Sequence, residues 1–334
     1  MKKIFLQLIL VLVILNANAT IRRVNNNPGV TLVAALVFAD FTAAQTAAVA
    51  GDTIYIEPSD INYGSITVSK KLVIVGPGYL LNKNPNTPFD KRTAKVAGLA
   101  FGIGSSGSKV YGLDIKNPNG NYADIFFTTA TSDIEIFGCI FNDLRSNGSN
   151  TNFFNGLLTN CFIVGSVRKA SFTMSHSTIA NNIILGFFES SDSDVIVKNN
   201  IIFGGIDYTS IYYNNIIYST NVGNLFDLSP NVYNNVCVGC TGTPTNNNFF
   251  TTAQNTIFAV TEPRTLDDLE DDNFILAVSS PAKTKGIGGI DCGVFAGPKP
   301  YILSGIPPFP MITAFTQGAI SAGNIPITIS IKRN

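Results

Sequence analysis

Asp192, Asp194 and Lys198 lie close together in the chain, and Arg145, Arg168 and Lys169 sit in neighbouring loops. Taking a proton from beside a carboxylate needs a base, a cation that neutralises the acid and a positioned proton donor. The aspartates could hold a cation, Lys198 could act as the base, and Arg145 with Arg168 could neutralise a uronate. A plainer reading competes: Ser190-Ser191-Asp192-Ser193-Asp194 has the composition of a surface turn, where Ser and Asp side chains satisfy nearby backbone. The turn is the stronger reading, and catalysis is not expected here. A Ser-His-Asp triad would have to use His176, the one histidine, whose Ser-His-Ser setting again reads as a turn. Asp267 to Asp272 reads as a solvated acidic turn, with calcium as the minority alternative. Cys237-Val238-Gly239-Cys240 is half a zinc site without its other half. Buried or paired thiols are expected instead, and no cofactor is implied, calcium apart.

A second set of residues suits binding. Tyr111, Phe137, Thr159, Ala180, Lys198, Tyr213 and Tyr233 each precede a Gly or Asn corner or its equivalent, and strand alternation should point them outward. Aromatic faces stack on sugar rings, and Tyr keeps a polar end in water. Such a strip is either a contact surface or the floor of a second small core under covering loops. The Phe pairs 126–127, 153–154, 187–188 and 249–250 read as core stacks.

The elements that would carry these residues are repeats. Val110-Tyr-Gly-Leu113, Ile136-Phe-Gly-Cys139, Leu158-Thr-Asn-Cys161, Ile179-Ala-Asn-Asn182, Val197-Lys-Asn-Asn200, Tyr212-Tyr-Asn-Asn215 and Val232-Tyr-Asn-Asn235 recur at spacings of 15 to 26 residues. Apolar runs of this length, rich in Val, Ile, Phe and Tyr, are short strands. Asn tolerates left-handed backbone angles and turns a sharp corner. Coils stacked at about 4.8 Å would place Asn182, Asn200, Asn215 and Asn235 in an amide ladder. Cys139 and Cys161, in equivalent places one coil apart, are expected to form a disulfide. The stack needs a cover at its start. Asp40 can cap a helix from Phe41 to about Val49, with Gly51 ending it. Asp52 to Ile56, Ile66 to Val68 and Leu72 to Gly76 then give the first coil.

Composition agrees with an exported all-β chain. Lys2 and Lys3, the apolar stretch Ile4 to Leu15 and Ala17-Asn18-Ala19 form a signal peptide, residues 1–19, whose removal leaves no membrane span. Charged residues make up 13%, with 22 acids against 22 bases, which argues against a nucleic-acid partner. An apolar share of 45% supports a large core. Residues 20–297 are expected to form the solenoid, and 298–334 a Pro-rich connector followed by two strands. In the second, Ile325, Ile327, Ile329 and Ile331 share a face, expected to pack on the protein's own flank or end.

The opening AAVAGDTIYIEPSDINYGSITVSKKLVIVGPG resembles the first turns of pectin-lyase-like right-handed parallel β-helix proteins. The closing DDNFILAVSSPAKTKGIGGIDCGVFAGPKPY is similar to the end of many secreted bacterial members. The resemblance covers about residues 30 to 300 and implies a right-handed parallel β-helix with an N-terminal capping helix. The enzymes of that fold mostly act on acidic polysaccharides. The Asn-Thr-Asp, paired Asp, Gly-His-Gly and Arg-Ile-Lys signatures of its hydrolases are absent, as is the Arg-Pro context of its pectate lyases. Asp124-Ile125-Phe126-Phe127 only echoes a methylesterase motif. Some lyases of the fold use a Lys and an Arg near calcium, which is why the Asp192, Asp194 and Lys198 set bears naming. The expectation is a secreted or surface-associated protein that binds extracellular polysaccharide without cutting it. Its alternatives are a polysaccharide lyase or hydrolase and a structural assembly component.

Overall fold

The computed structural model describes residues 19–147, 151–168, 172–190, 192–207, 209–218, 229–261, 269–320 and 323–333. Residues 1–18, Lys169, Ser191, Asp267 and Asp268, which include most of the expected signal peptide, lie outside them. The chain winds as a parallel β-helix. One face is an 11-stranded sheet running from the edge strand Val37–Phe38 through Lys109–Tyr111 and Glu135–Phe137 to Val232–Tyr233. The next face is a 9-stranded sheet from Lys95–Val96 to Phe249–Thr251, also parallel. The third side carries a 4-stranded and a 3-stranded sheet. Among the described residues no helix is long and apolar enough to cross a membrane.

The inward column predicted from the repeats fills the interior. Val110, Ile136, Leu158, Ile179, Val197, Tyr212 and Val232 pair coil to coil and are all buried. Burying such a column removes apolar area from water at about 25 cal/mol per Å², which is what drives the coils to stack. The Phe pairs are not core stacks throughout. Phe127, Phe153 and Phe188 are inside, with Phe127 5.3 Å from both Phe101 and Phe153, whereas Phe154 and Phe187 are exposed. Strand alternation sends neighbouring rings to opposite faces.

Each coil corner uses its two residues differently. Asn160, Asn181, Asn199, Asn214 and Asn234 have φ between 53° and 58°, with Gly112 and Gly138 in equivalent places. The residues after them point inward, and there Asn182, Asn200, Asn215 and Asn235 form the ladder. Asn200 Nδ2 donates to Asn215 Oδ1 at 3.1 Å, and Asn215 Nδ2 donates to Asn235 Oδ1 at 2.9 Å. Asn248 extends the ladder, accepting from Asn235 N at 2.9 Å. Cys139 and Cys161 hold the same inner position, but they are buried free thiols and not the expected disulfide. Their sulfurs turn to backbone carbonyls, Cys139 to Phe137 at 3.5 Å and Cys161 to Thr159 at 3.3 Å. Cys237 and Cys240 are joined instead.

The covering helix spans Phe41–Ala47, with Asp40 Oδ1 accepting from Ala43 N at 2.8 Å. It ends earlier than the sequence suggested. Ala48 caps it, and Gly51, at φ 97°, turns the chain afterwards, its N–H donating to Lys71 O. Gln45 ties the helix to the first coil through Thr67 O and Ser69 N.

After the last coil the chain turns back and runs down the flank as a strap. Asn234 Nδ2 meets Lys285 O at 3.4 Å, Asn214 Oδ1 accepts from Ile287 N, and Asn181 Nδ2 donates to Val294 O and Ala296 O. Asn160 Oδ1 accepts from Ile302 N at 2.8 Å. The left-handed Asn thus turns the corner and offers its amide to the strap. Lower down, the strap comes so close that only glycine fits. A Cβ on Gly138 would lie 2.6 Å from Gly305 O, and one on Gly305 would lie 2.2 Å from Gly138 O. The strap ends in an antiparallel hairpin, Met311–Gln317 with Ile327–Lys332. The hairpin meets the rest of the chain through Phe89, whose N–H donates to Ile312 O and whose ring lies 6.1 Å from Phe315. The expected packing of the isoleucines on the flank does not occur: Ile325, Ile327, Ile329 and Ile331 are 47 to 69% exposed. The flank is already occupied by the strap.

Candidate functional site

The outward column is aligned by the long sheet. Tyr111, Phe137, Thr159, Ala180, Lys198, Tyr213 and Tyr233 pair in succession, each two strands' breadth from its next neighbour but one. The strap forms a wall beside it. Between column and wall lies a groove of about 670 Å³, floored by Tyr111, Phe137, Thr159, Ala180 and Lys198 and walled by Pro298, Pro300 and Pro308. Proline fixes φ, so this wall holds its shape without its own hydrogen-bond ladder. Sequence reasoning found the floor and missed the wall, since residues 285–309 have no strand period to betray them.

The strip is neither wholly open nor wholly covered. Phe137, Thr159, Lys198, Tyr213 and Tyr233 are half-buried, while Tyr111 is buried beneath Phe309, which meets it edge-on at 5.6 Å. Beyond the groove the floor continues as Tyr213 and Tyr233, stacked 5.4 Å apart with planes 12° from parallel. Lys198 Nζ lies 5.9 Å from the Tyr213 ring centre. Glu135 on the groove edge is paired with Lys109 at 2.8 Å, whereas Lys198 and Lys299 have no carboxylate partner among the described residues. Burial pushes the Tyr111 hydroxyl well up, with Glu135 adding to it. Asn199 Nδ2, also at the groove, is buried without a hydrogen-bond partner, and a Cβ placed on Gly297 of the strap would lie 3.5 Å from it.

The residues considered for proton abstraction are not brought together. Arg145 is held by Asp124 at 2.6 Å and lies over the Phe126 ring, and Arg168 pairs with Asp143 at 3.4 Å, both on the third side of the coil. Asp192 Oδ2 accepts from Met174 N at 2.6 Å, a contact between stacked coils. Asp194 pairs with His176 Nδ1 at 2.9 Å. Lys198 stands on the long sheet's outer face. The His176–Asp194 pair is a partner the sequence did not reveal, because coil stacking, not chain proximity, creates it. His176 has φ 61° and packs 5.0 Å from Phe154, so it is a turn residue as well. No serine hydroxyl is paired with its other nitrogen among the described residues, and none there form a group of three metal-ligating side chains.

Within the described part of the acidic run, Asp271 is not solvated as expected. Asp271 is wholly buried, accepting from Ser304 N at 2.5 Å, Asn84 Nδ2 at 2.6 Å and Tyr301 Oη at 3.2 Å. Tyr301 Oη also bonds Tyr79 Oη. Burial pushes the Asp271 carboxyl up to about 6, against the hydrogen bonds that favour its ionised form. This cluster locks the strap to the loop after Tyr79 and is sealed from the groove. Glu270 faces outward and pairs with Lys83. No family model, curated protein or solved structure matches the chain.

Proposed function

We propose that this chain is an exported, pectin-lyase-like β-helix protein that binds an extracellular polysaccharide along the outward column of its long sheet and does not cleave it. The observation that carries this reading is the stacked Tyr213–Tyr233 pair, continuous with the groove floor. Two parallel phenol faces at coil spacing offer successive stacking platforms, and the proline wall excludes water from one side of a bound chain. Lys198, Lys299 and the hydroxyl of Thr159 supply polar contacts beside them. The dispersal of Asp194, Arg145 and Arg168 into separate ion pairs supports binding over cleavage, since a base, a neutralising cation and an acid must converge on one bond.

Replacing Tyr213 and Tyr233 together with alanine is expected to weaken polysaccharide binding about tenfold or more while leaving the circular dichroism and melting temperature close to wild type. Affinity electrophoresis across acidic and neutral polysaccharides would measure this, with chain ends followed in parallel. Equal retardation of both proteins would refute the site, and release of new ends would refute the non-catalytic reading. The exposed isoleucine face of the hairpin supports a second reading, assembly through the tail. Sedimentation of the full mature chain against Ile327→Lys/Ile329→Lys tests it, with a loss of dimers or higher species expected; a wild-type monomer at high concentration removes it.

A further inference from the structure

The outward row does not start at Tyr111. In the sheet register Tyr111 pairs with Val75, Val75 with Tyr55 and Tyr55 with Arg23, so one side-chain row runs unbroken from Arg23 to Tyr233. Two clefts lie along it. One is the groove over Tyr111 to Lys198. The other, of about 520 Å³, lies on the N-terminal side, with Tyr55 and Val75 on the row and Phe89, Pro310 and Phe315 beside them. Only the strap divides them. Pro307 crosses over Gly112, where a Cβ would come within 3.1 Å of its ring, and Phe309 stands on Tyr111.

We propose that Phe309 is the stop of the binding groove, a specificity-determining residue that occupies the place of the next sugar ring and so limits the chain length the protein accepts. The inference rests on the reading of the groove as a glycan site. Three observations support it. Phe309 is 40% exposed, so it is displayed and not buried as core. Its N–H donates to Pro307 O at 2.7 Å, closing a three-residue turn around Pro308 that lifts the ring onto the row. Prolines at 307, 308 and 310 restrict the backbone on both sides and hold that placement. The aromatic floor, moreover, continues past the ring: Tyr55 lies beyond it, in line with Tyr111. Phe309 is the side chain that stands on the row where the two clefts meet.

The chain has no tryptophan, so Tyr111→Trp places a single indole at the boundary. In that background Phe309→Ala should red-shift the emission and increase quenching by acrylamide, with Phe309→Leu in between. Unchanged emission and quenching would overturn the proposal, since the ring would then not be what covers this point of the row. The second measurement uses graded oligosaccharides of whichever polysaccharide the wild-type chain retains. Wild-type affinity should stop rising once the ligand spans Phe137 to Tyr233, about 24 Å at ~4.8 Å per coil. Phe309→Ala should go on gaining, reaching about tenfold tighter binding for ligands long enough to meet Tyr55. A plateau at the same length in both proteins overturns the stop and leaves the groove reading standing. Absence of binding by every form, with the indole uncovered as expected, removes the groove reading and the stop with it.

Discussion

Asn215→Ala is expected to destabilise the solenoid by about 4 kcal/mol or more. Asn215 is wholly buried, and its amide serves both neighbouring coils. Oδ1 accepts from Asn200 N at 2.8 Å and Asn200 Nδ2 at 3.1 Å, while Nδ2 donates to Val197 O at 2.8 Å and Asn235 Oδ1 at 2.9 Å. Alanine would leave Asn200 N without its acceptor and would strip a bond each from Asn200 Nδ2, Val197 O and Asn235 Oδ1, in a site no water reaches. Each unsatisfied buried group costs about 1–3 kcal/mol, which is why the loss exceeds that of an ordinary side-chain hydrogen bond. Asn199→Gly is the contrast. It removes an amide of the same type one coil earlier, at the left-handed corner, where Nδ2 has no partner and glycine suits φ 54°. That change is expected to stay within about 1 kcal/mol of wild type. Denaturant titration followed by circular dichroism would compare the two. Similar losses for both would mean that the ladder contributes no more than the corner.

The same contrast shows what the sequence makes legible and what it hides. The inward column and the ladder could be read because each coil repeats the pattern apolar-any-Asn-Asn, and a repeat imposes its own register. Asn248 was missed because the residues before it, Thr245-Asn246-Asn247, lack the leading apolar position. The outward tyrosines were legible by alternation, but their cover was not. The strap follows the curvature of the flank, and its contacts fall at irregular intervals: Lys285 on Asn234, Val294 and Ala296 on Asn181, Ile302 on Asn160. No local period records such docking. Pairing across coils was likewise hidden. Arg145 with Asp124, and His176 with Asp194, are distant in the chain and adjacent in the stack. Asp271 looked solvated because its neighbours are acidic. Nothing in the local sequence announces that Asn84, Tyr301 and Ser304 converge on it.

Asp271 leads to a pH effect opposite in sign to ordinary acid denaturation. A carboxyl raised from 3.8 to about 6 in the fold binds its proton more tightly there than in the unfolded chain. Between those values the native state holds more protons, so this group makes stability fall as pH rises through that window. Its contribution is fully present below about 4 and lost above about 6, an amplitude on the order of 3 kcal/mol. The surroundings can accept the proton. Asn84 Oδ1 is buried without a partner, and rotation of its amide would turn that acceptor toward a protonated Oδ1 of Asp271. Tyr79 and Tyr301, the other ionisable groups in contact, are pushed above 10 by burial and stay neutral throughout. Lys83 and Glu270 face outward beside the cluster and pair with each other. Asp271→Asn retains an acceptor for Ser304 N and Tyr301 Oη and supplies the donor that Asn84 lacks. The variant should therefore match wild type near pH 4.5 and exceed it near pH 7.5, where only wild type carries the buried charge. Comparing denaturation midpoints of the two proteins across this range cancels every other titrating group. Curves that run parallel from pH 4 to 8 would show that Asp271 is ionised at no cost. A steeper fall for the variant would show that the negative charge itself, through Ser304 N–H, fastens the strap to the solenoid.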